Sequence, residues 1–280
     1  MILLDGKTVS NQCMIKLKEK IASFSTRPSL SVIRIGEDPA SAIYIRLKQK
    51  MCEEIGINFT EYHLKEEIHQ DELENLIDKL NSDDSVSAIL LQSPLPAHLN
   101  IMQAFQKISP EKDVDGFSPV NVGRLVQGED CFVACTPLGI MRLLQEYQID
   151  VSGKNAVVIG RSNIVGRPMA QLLLNADSTV TVCHSKTKNL QEITQMADIL
   201  VVAVGKPKFV TADMVKDGAV VVDVGINRVP DSKKIVGDVD YEHVKDKCSY
   251  ITPVPGGVGP MTIATLMNNV VTAYERQCSK

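Results

Sequence analysis

Tyr44 and Lys48 stand four residues apart in Tyr-Ile-Arg-Leu-Lys, a spacing that puts a phenol and an amine on one helical face. They border an apolar row, Ile43, Leu47, Met51 and Ile55, where it meets solvent or a cleft. A surface lysine laid over an aromatic ring has the same pattern, and is the commoner case. Gln92 ends a short apolar run and is followed by Ser93-Pro94-Leu95-Pro96, whose prolines keep Ser93 and Leu95 extended. A rigid segment at a strand's carboxyl end is where α/β sheets place ligands. Asp113 and Asp115, in Pro-Glu-Lys-Asp-Val-Asp-Gly, add paired carboxylates; an acidic turn or helix cap explains them equally well.

A second group of residues suits a dinucleotide. Gly160-Arg161-Ser162-Asn-Ile-Val-Gly166-Arg-Pro168 lies between an expected strand and an expected helix. Gly160 permits a tight turn, Gly166 a close approach, and free amides at a helix start favour phosphate. Ser162 stands where the second glycine of the common G-x-G-x-x-G pattern would be, so a plain turn is the competing reading. The next strand ends in Cys183-His184-Ser185-Lys186-Thr187, without the acid that holds the ribose 2′-hydroxyl of NAD. Ser185 and Arg161 can instead donate to a 2′-phosphate, which favours NADP; a solvated loop is the alternative. Late in the chain, Pro253-Val-Pro255-Gly256-Gly257-Val-Gly259-Pro260 combines close backbone approach with restriction, for a ligand or for a hinge.

The elements that must position these residues alternate. Strands are expected at 29–35, 57–63 and 87–92, with helices at 39–55 and around Leu73, Leu76, Ile77 and Leu80. A connecting helix at 137–147 leads to strands at 155–159, 179–183, 199–204 and 219–224 and a helix at 166–175. Near-continuous Val/Ile runs mark strands buried on both faces. Ile263, Leu266, Met267, Val270, Val271 and Tyr274 form one stripe of a terminal helix. The fold class is therefore α/β, with two α/β lobes, the second a Rossmann-like doubly wound parallel sheet.

Composition narrows the function classes. The chain has 280 residues, a formal charge of −4 and 44% hydrophobic residues, enough to fill two domain cores. Its apolar runs fall far short of the ~18 residues of a membrane-spanning helix, and Asp5 interrupts any signal-peptide core. Mild acidity argues against a nucleic-acid partner. Seven scattered cysteines, at 13, 52, 131, 135, 183, 248 and 278, suit reduced thiols in a cytoplasmic protein. No metal is expected, since ligand-type residues do not cluster at metal spacings.

Taken together, Tyr44-Ile-Arg-Leu-Lys48, Leu91-Gln92-Ser-Pro-Leu-Pro96, Pro110 to Gly116, Gly160 to Pro168, His184-Ser185-Lys-Thr and Pro253 to Thr262 resemble the bifunctional methylenetetrahydrofolate dehydrogenase/methenyltetrahydrofolate cyclohydrolase family. The pieces fall in order along most of the chain. One departure is Ser93, where the family usually has Leu. The resemblance implies a folate lobe of residues 1–138 completed by a terminal helix at 257–280, an NADP lobe of 139–256, and a cleft between the lobes for folate. It implies Lys48 as the central cyclohydrolase residue, oriented by Gln92, with Tyr44 and Asp115 at the folate. Pro255, Gly256 and Gly257 would contact substrate. Gly160, Arg161, Ser162, Ser185 and Ile226 would hold NADP. A homodimer through the nucleotide lobe is also implied. A NAD-linked dehydrogenase-only relative, a non-catalytic NADP-binding regulator, and a hydroxy-acid or amino-acid dehydrogenase are the rival readings.

Overall fold

The computed structural model describes residues 1–229 and 234–279. In chain order the elements are β1 (Ile2–Leu3), α1 (Gly6–Ala22), β2 (Ser29–Ile35), α2 (Pro39–Ile55), β3 (Asn58–Leu64), α3 (Gln70–Ser82), β4 (Ala88–Leu91), α4 (Ile101–Lys107), α5 (Pro119–Gln127) and α6 (Cys135–Glu146). They continue with β5 (Asn155–Ile159), α7 (Gly166–Asn175), β6 (Thr179–Cys183), α8 (Leu190–Thr194), β7 (Ile199–Val202), β8 (Val220–Asp223), β9 (Asn227–Arg228), β10 (Ile235–Val236), α9 (Tyr241–Val244), β11 (Tyr250–Ile251) and α10 (Val258–Cys278).

Two compact units share these elements. One holds Gln12–Val133 and the chain from Ile263 onward; the other holds Met1–Asn11 and Ala134–Thr262. These limits differ from the expected 1–138 and 139–256 at both ends of the first segment. The first residues group with the second unit because β1 pairs in parallel with β11, Ile2 beside Tyr250. Leu4 N donates to Ile251 O at 2.8 Å, extending that ladder. β1 is too short for a hydrophobic period to reveal it.

In the first unit β2 is the centre of a parallel sheet ordered β3-β2-β4. Its register sets Leu30 beside Phe59 and Ala88, and Ile33 beside Tyr62 and Leu91. α3 buries Leu73, Ile77 and Leu80 against Ile33, Ile89, Leu91 and Phe105. Truncating any of the three to Ala costs about 2–5 kcal/mol. Glu72 reaches back to accept from His69 N at 3.0 Å and fixes the start of α3. Lys112, only 7% exposed, closes the other end, donating to Leu80 O, Asn81 O and Asp83 O at 3.0, 2.8 and 2.7 Å.

α2 starts where Asp38 accepts from Ser41 N at 2.7 Å and Pro39 fixes the first turn; Gly56, at φ 92°, ends it. Its buried face is Ile45, Cys52 and Ile55, which shares only Ile55 with the expected row. Ile43 and Leu47 of that row are 54% and 39% exposed, and Tyr44 beside them is 44% exposed. Spacing alone shows that a row lies on one face but not which face the sheet covers. α10 returns to this unit, burying Met267, Val270, Val271 and Tyr274, while Asn269 Nδ2 donates to Val114 O at 2.9 Å.

The second unit is a parallel six-stranded sheet in the order β1-β11-β8-β7-β5-β6. Val157, Ile159, Leu200, Val202, Val221 and Ile251 all lie within one buried core. β7 and β8 are buried at every position, as continuous Val/Ile/Leu runs require. Among the described residues, no helix is long and apolar enough to cross a membrane.

Candidate functional site

An open parallel sheet binds ligands at the carboxyl ends of its strands, where consecutive connections leave in opposite directions. In the three-stranded sheet that point lies between β2 and β4. Gln92 occupies it, its backbone N donating to Ile33 O at 2.9 Å. Its side chain is oriented twice. Nε2 donates to Ser93 O at 2.7 Å, which leaves Oε1 to accept from Lys48 Nζ at 2.9 Å. The fold thus joins two residues 44 positions apart. Ser93 is exposed and enters through its carbonyl, which also accepts from Ser41 Oγ at 3.4 Å. The departure from Leu at this position leaves those backbone bonds in place.

Tyr44 lies one turn before Lys48 on the same helix. Asp113 and Asp115 play different parts. Asp113 is 2% exposed and accepts from Phe117 N at 3.2 Å, Ser118 N at 2.8 Å and Asn121 Nδ2 at 2.9 Å. It is therefore structural, shaping the turn and the start of α5. Asp115 is only half-buried. Its segment is tied to the edge strand β4 by Ile89 N donating to Lys112 O at 2.8 Å. Gly116 is required here: a Cβ would lie 2.7 Å from Phe132 O.

In the six-stranded sheet the same reversal falls between β5 and β7. Gly160 follows β5 at φ 123°, and a Cβ on it would come within 2.2 Å of Ala203 O after β7. At Gly166 a Cβ would come within 2.2 Å of Gly160 O. This is a cradle with no space for side chains, as close backbone approach to a pyrophosphate demands, and the residues present fit a dinucleotide. Ser162 Oγ accepts from Val165 N and Gly166 N at 3.2 and 3.4 Å, so it shapes the start of α7. Arg161, Ser185 and Ile226 are exposed around this point. After β6, His184 N donates to Thr187 Oγ1 at 2.8 Å and Thr187 N to His184 O at 2.8 Å, a tight turn that presents Ser185. Pro255, Gly256 and Gly257 belong to the same unit. Gly256 takes φ 109°, and its carbonyl accepts from Lys7 N at 2.9 Å.

Two models match the chain: the catalytic domain of tetrahydrofolate dehydrogenase/cyclohydrolase over residues 4–115, and the NAD(P)-binding domain of the same family over residues 134–278. The chain belongs to the tetrahydrofolate dehydrogenase/cyclohydrolase family. It is 57% identical to the bifunctional protein FolD of Campylobacter concisus, over 100% of both chains. The crystal structure of the FolD dehydrogenase/cyclohydrolase from Campylobacter jejuni superposes with a TM-score of 0.97 at 54% identity, covering 99% of each chain. The Trypanosoma brucei enzyme, solved with NADP cofactor and inhibitor, superposes with a TM-score of 0.95 at 37% identity, covering 100% of this chain and 99% of that one.

Sequence reasoning missed several residues that fix the backbone near these candidate sites. Lys112, Asn269, Asp223 and Asp238 are all buried polar groups. Asp223 did carry a signal: an acid directly after Val220-Val-Val222, where the pattern calls for another apolar residue. Burial pushes its carboxyl up to about 6, against three backbone N–H bonds that lower it. Of the cysteines, Cys52 and Cys248 are buried and their thiols are pushed up to about 12 and about 11 by desolvation. Both act as small apolar side chains rather than nucleophiles.

Proposed function

We propose that this chain oxidises 5,10-methylenetetrahydrofolate with NADP and hydrolyses the resulting 5,10-methenyl cation to 10-formyltetrahydrofolate. The observation that carries the reading is the Lys48–Gln92 hydrogen bond of 2.9 Å at the reversal point of the three-stranded sheet. Membership of a dehydrogenase/cyclohydrolase family supports both half-reactions.

NADP, when bound, accepts the hydride from the one-carbon bridge. Gly160 and Ser162 shape the turn proposed for its phosphates, Ile226 offers an apolar contact, and Arg161 and Ser185 donate to the 2′-phosphate. Pro255, Gly256 and Gly257 bring backbone rather than bulk to the substrate. Asp115 accepts two parallel N–H bonds from the amino-pyrimidine edge of the pterin, and the exposed Tyr44 ring stacks on the folate and limits water.

Lys48 acts in hydrolysis. Water attacks the electron-poor methenyl carbon and gives up a proton, which the amine form of Lys48 accepts; opening of the five-membered ring leaves the formyl group on N10. A cation beside Lys48 favours that neutral amine. A neutral amine keeps two N–H bonds, so it still donates to Gln92 Oε1 while its lone pair is aimed by that bond. The reading extends to a cytoplasmic homodimer joined through the nucleotide-binding unit. In support, β6 is hydrogen-bonded only to β5 among the described residues and leaves Val182 39% exposed.

Lys48→Met keeps the apolar stem and deletes the titrating amine. Methenyltetrahydrofolate hydrolysis, corrected for its spontaneous rate, should fall by about 10²–10⁴-fold with little change in NADP affinity. Hydrolysis at the wild-type rate would make Lys48 a surface lysine and end this mechanism.

A further inference from the structure

At the carboxyl ends of β7 and β8 the chain commits seven N–H donors to two buried carboxylates. Asp238, fully buried, accepts from Val204 N and Gly205 N through Oδ2 at 2.7 and 2.8 Å. Through Oδ1 it accepts from Lys206 N at 2.9 Å and Asn227 Nδ2 at 2.8 Å. Asp223, 3% exposed, accepts from Gly225 N and Asp238 N through Oδ1 and from Val239 N through Oδ2, each at 2.9 Å. Its own backbone N donates to Thr252 Oγ1 at 2.8 Å, next to the 253–257 loop.

Such an arrangement holds backbone rather than binding ligand. An ionised carboxylate accepts strong bonds, and one buried without them is costly, so the turns that donate are confined to the geometry that satisfies both. Space is equally confined. A Cβ on Gly225 would lie 2.3 Å from Asp238 Oδ1, and one on Gly237 would collide with Asp223 Oδ2. The clasped turns are also in a telling place. The turn starting at Ala203 faces Gly160 across the reversal point of the sheet. Ser185, the 2′-phosphate donor of the proposed function, follows β6 on one side of β5; β7 and β8 lie on the other. A dinucleotide laid across the reversal point with its adenosine half toward β6 has its nicotinamide half toward β7 and β8. Ile226, 51% exposed, lies between Gly225 and Asn227, both of which donate to the clasp.

We propose that Asp238 and Asp223 are positioning residues for the dehydrogenase reaction, holding the 204–206 and 225–227 turns, and Ile226 with them, in the geometry that the nicotinamide half of NADP requires. This rests on the reading that Ile226 contacts NADP.

Asn227→Ala removes one donor from Asp238 without leaving a bare buried charge, and Asp238→Asn turns an acceptor into a donor facing amide N–H groups. Both are assayed beside Ile226→Ala for NADP KM, dehydrogenase kcat, methenyltetrahydrofolate hydrolysis and thermal midpoint. Asn227→Ala should raise NADP KM or lower dehydrogenase kcat by about 3- to 10-fold, the effect of one hydrogen bond. Hydrolysis should stay within twofold of wild type at an almost unchanged thermal midpoint. Folded Asp238→Asn should lose at least about tenfold in dehydrogenase kcat/KM while retaining hydrolysis. If it does not fold, Asn227→Ala decides. Wild-type dehydrogenase kinetics in Asn227→Ala, or both activities falling together with the folded fraction in that variant, would overturn the positioning role. An unchanged NADP KM in Ile226→Ala would instead overturn the cofactor reading of Ile226, a separable result.

Discussion

In the proposed function, Ser185 and Arg161 set the cofactor preference, a question that belongs to single residues. Both are exposed after the strands flanking the phosphate cradle, and no acid stands at the end of β6 to hold a ribose 2′-hydroxyl. A lost charge-assisted hydrogen bond costs about 1.5–3 kcal/mol, or roughly 10- to 150-fold. Ser185→Ala and Arg161→Ala should therefore each lower kcat/KM for NADP by that order and leave the weaker use of NAD nearly unchanged. Equal use of both nucleotides by the wild type would contradict this reading. At this scale much of the candidate site was legible in the sequence, because Tyr44, Lys48, Gln92 and the glycine turns come in short motifs. The Lys48–Gln92 bond was legible only through the family resemblance, in which Gln92 orients Lys48; spacing could not give it, since it joins a helix to a strand end 44 residues away. The structural part of Asp113 was not legible, since its burial and the bonds it accepts reveal it.

At the scale of elements, the strands with unbroken Val/Ile runs were the most legible. β2, α2, β5, α7 and β6 have the limits that their periodicity and capping residues indicate. α1 was missed because its apolar positions are diluted by lysines, and α4 and α5 because they are short. The clasp at the end of β8 was illegible for another reason: six of its seven donors are backbone amides from three separate segments. It has a consequence for pH. Burial raises the Asp223 carboxyl to about 6 in the folded protein, above its value in an unfolded chain. A group shifted upward contributes stability that is fully present below the unfolded value near 4 and is lost as pH rises through 6. The stability of wild type relative to Asp223→Asn should therefore decline between pH 4 and pH 7, as read by urea unfolding at each pH. A difference independent of pH would show that Asp223 has an ordinary carboxyl.

For the whole molecule, the alternation of strands and helices indicated two α/β units. It did not place the first eleven residues, because a two-residue strand such as β1 acquires its partner only in the folded sheet. Assembly belongs to this scale too. The proposed homodimer should sediment as a single species of twice 30.7 kDa at micromolar concentration. A charged substitution at Val182 on the exposed β6 edge should shift it toward monomer, and a monomeric wild type would refute that proposal. The central claim is that one chain carries out both reactions, and it is tested by mixing purified protein with 5,10-methylenetetrahydrofolate and NADP while following NADPH, methenyl- and 10-formyltetrahydrofolate together. NADPH should appear with NADP in preference to NAD, and methenyltetrahydrofolate should pass to 10-formyltetrahydrofolate faster than its spontaneous hydrolysis. NADPH formation with methenyltetrahydrofolate decaying only at the uncatalysed rate, or no NADPH at all, would contradict the account.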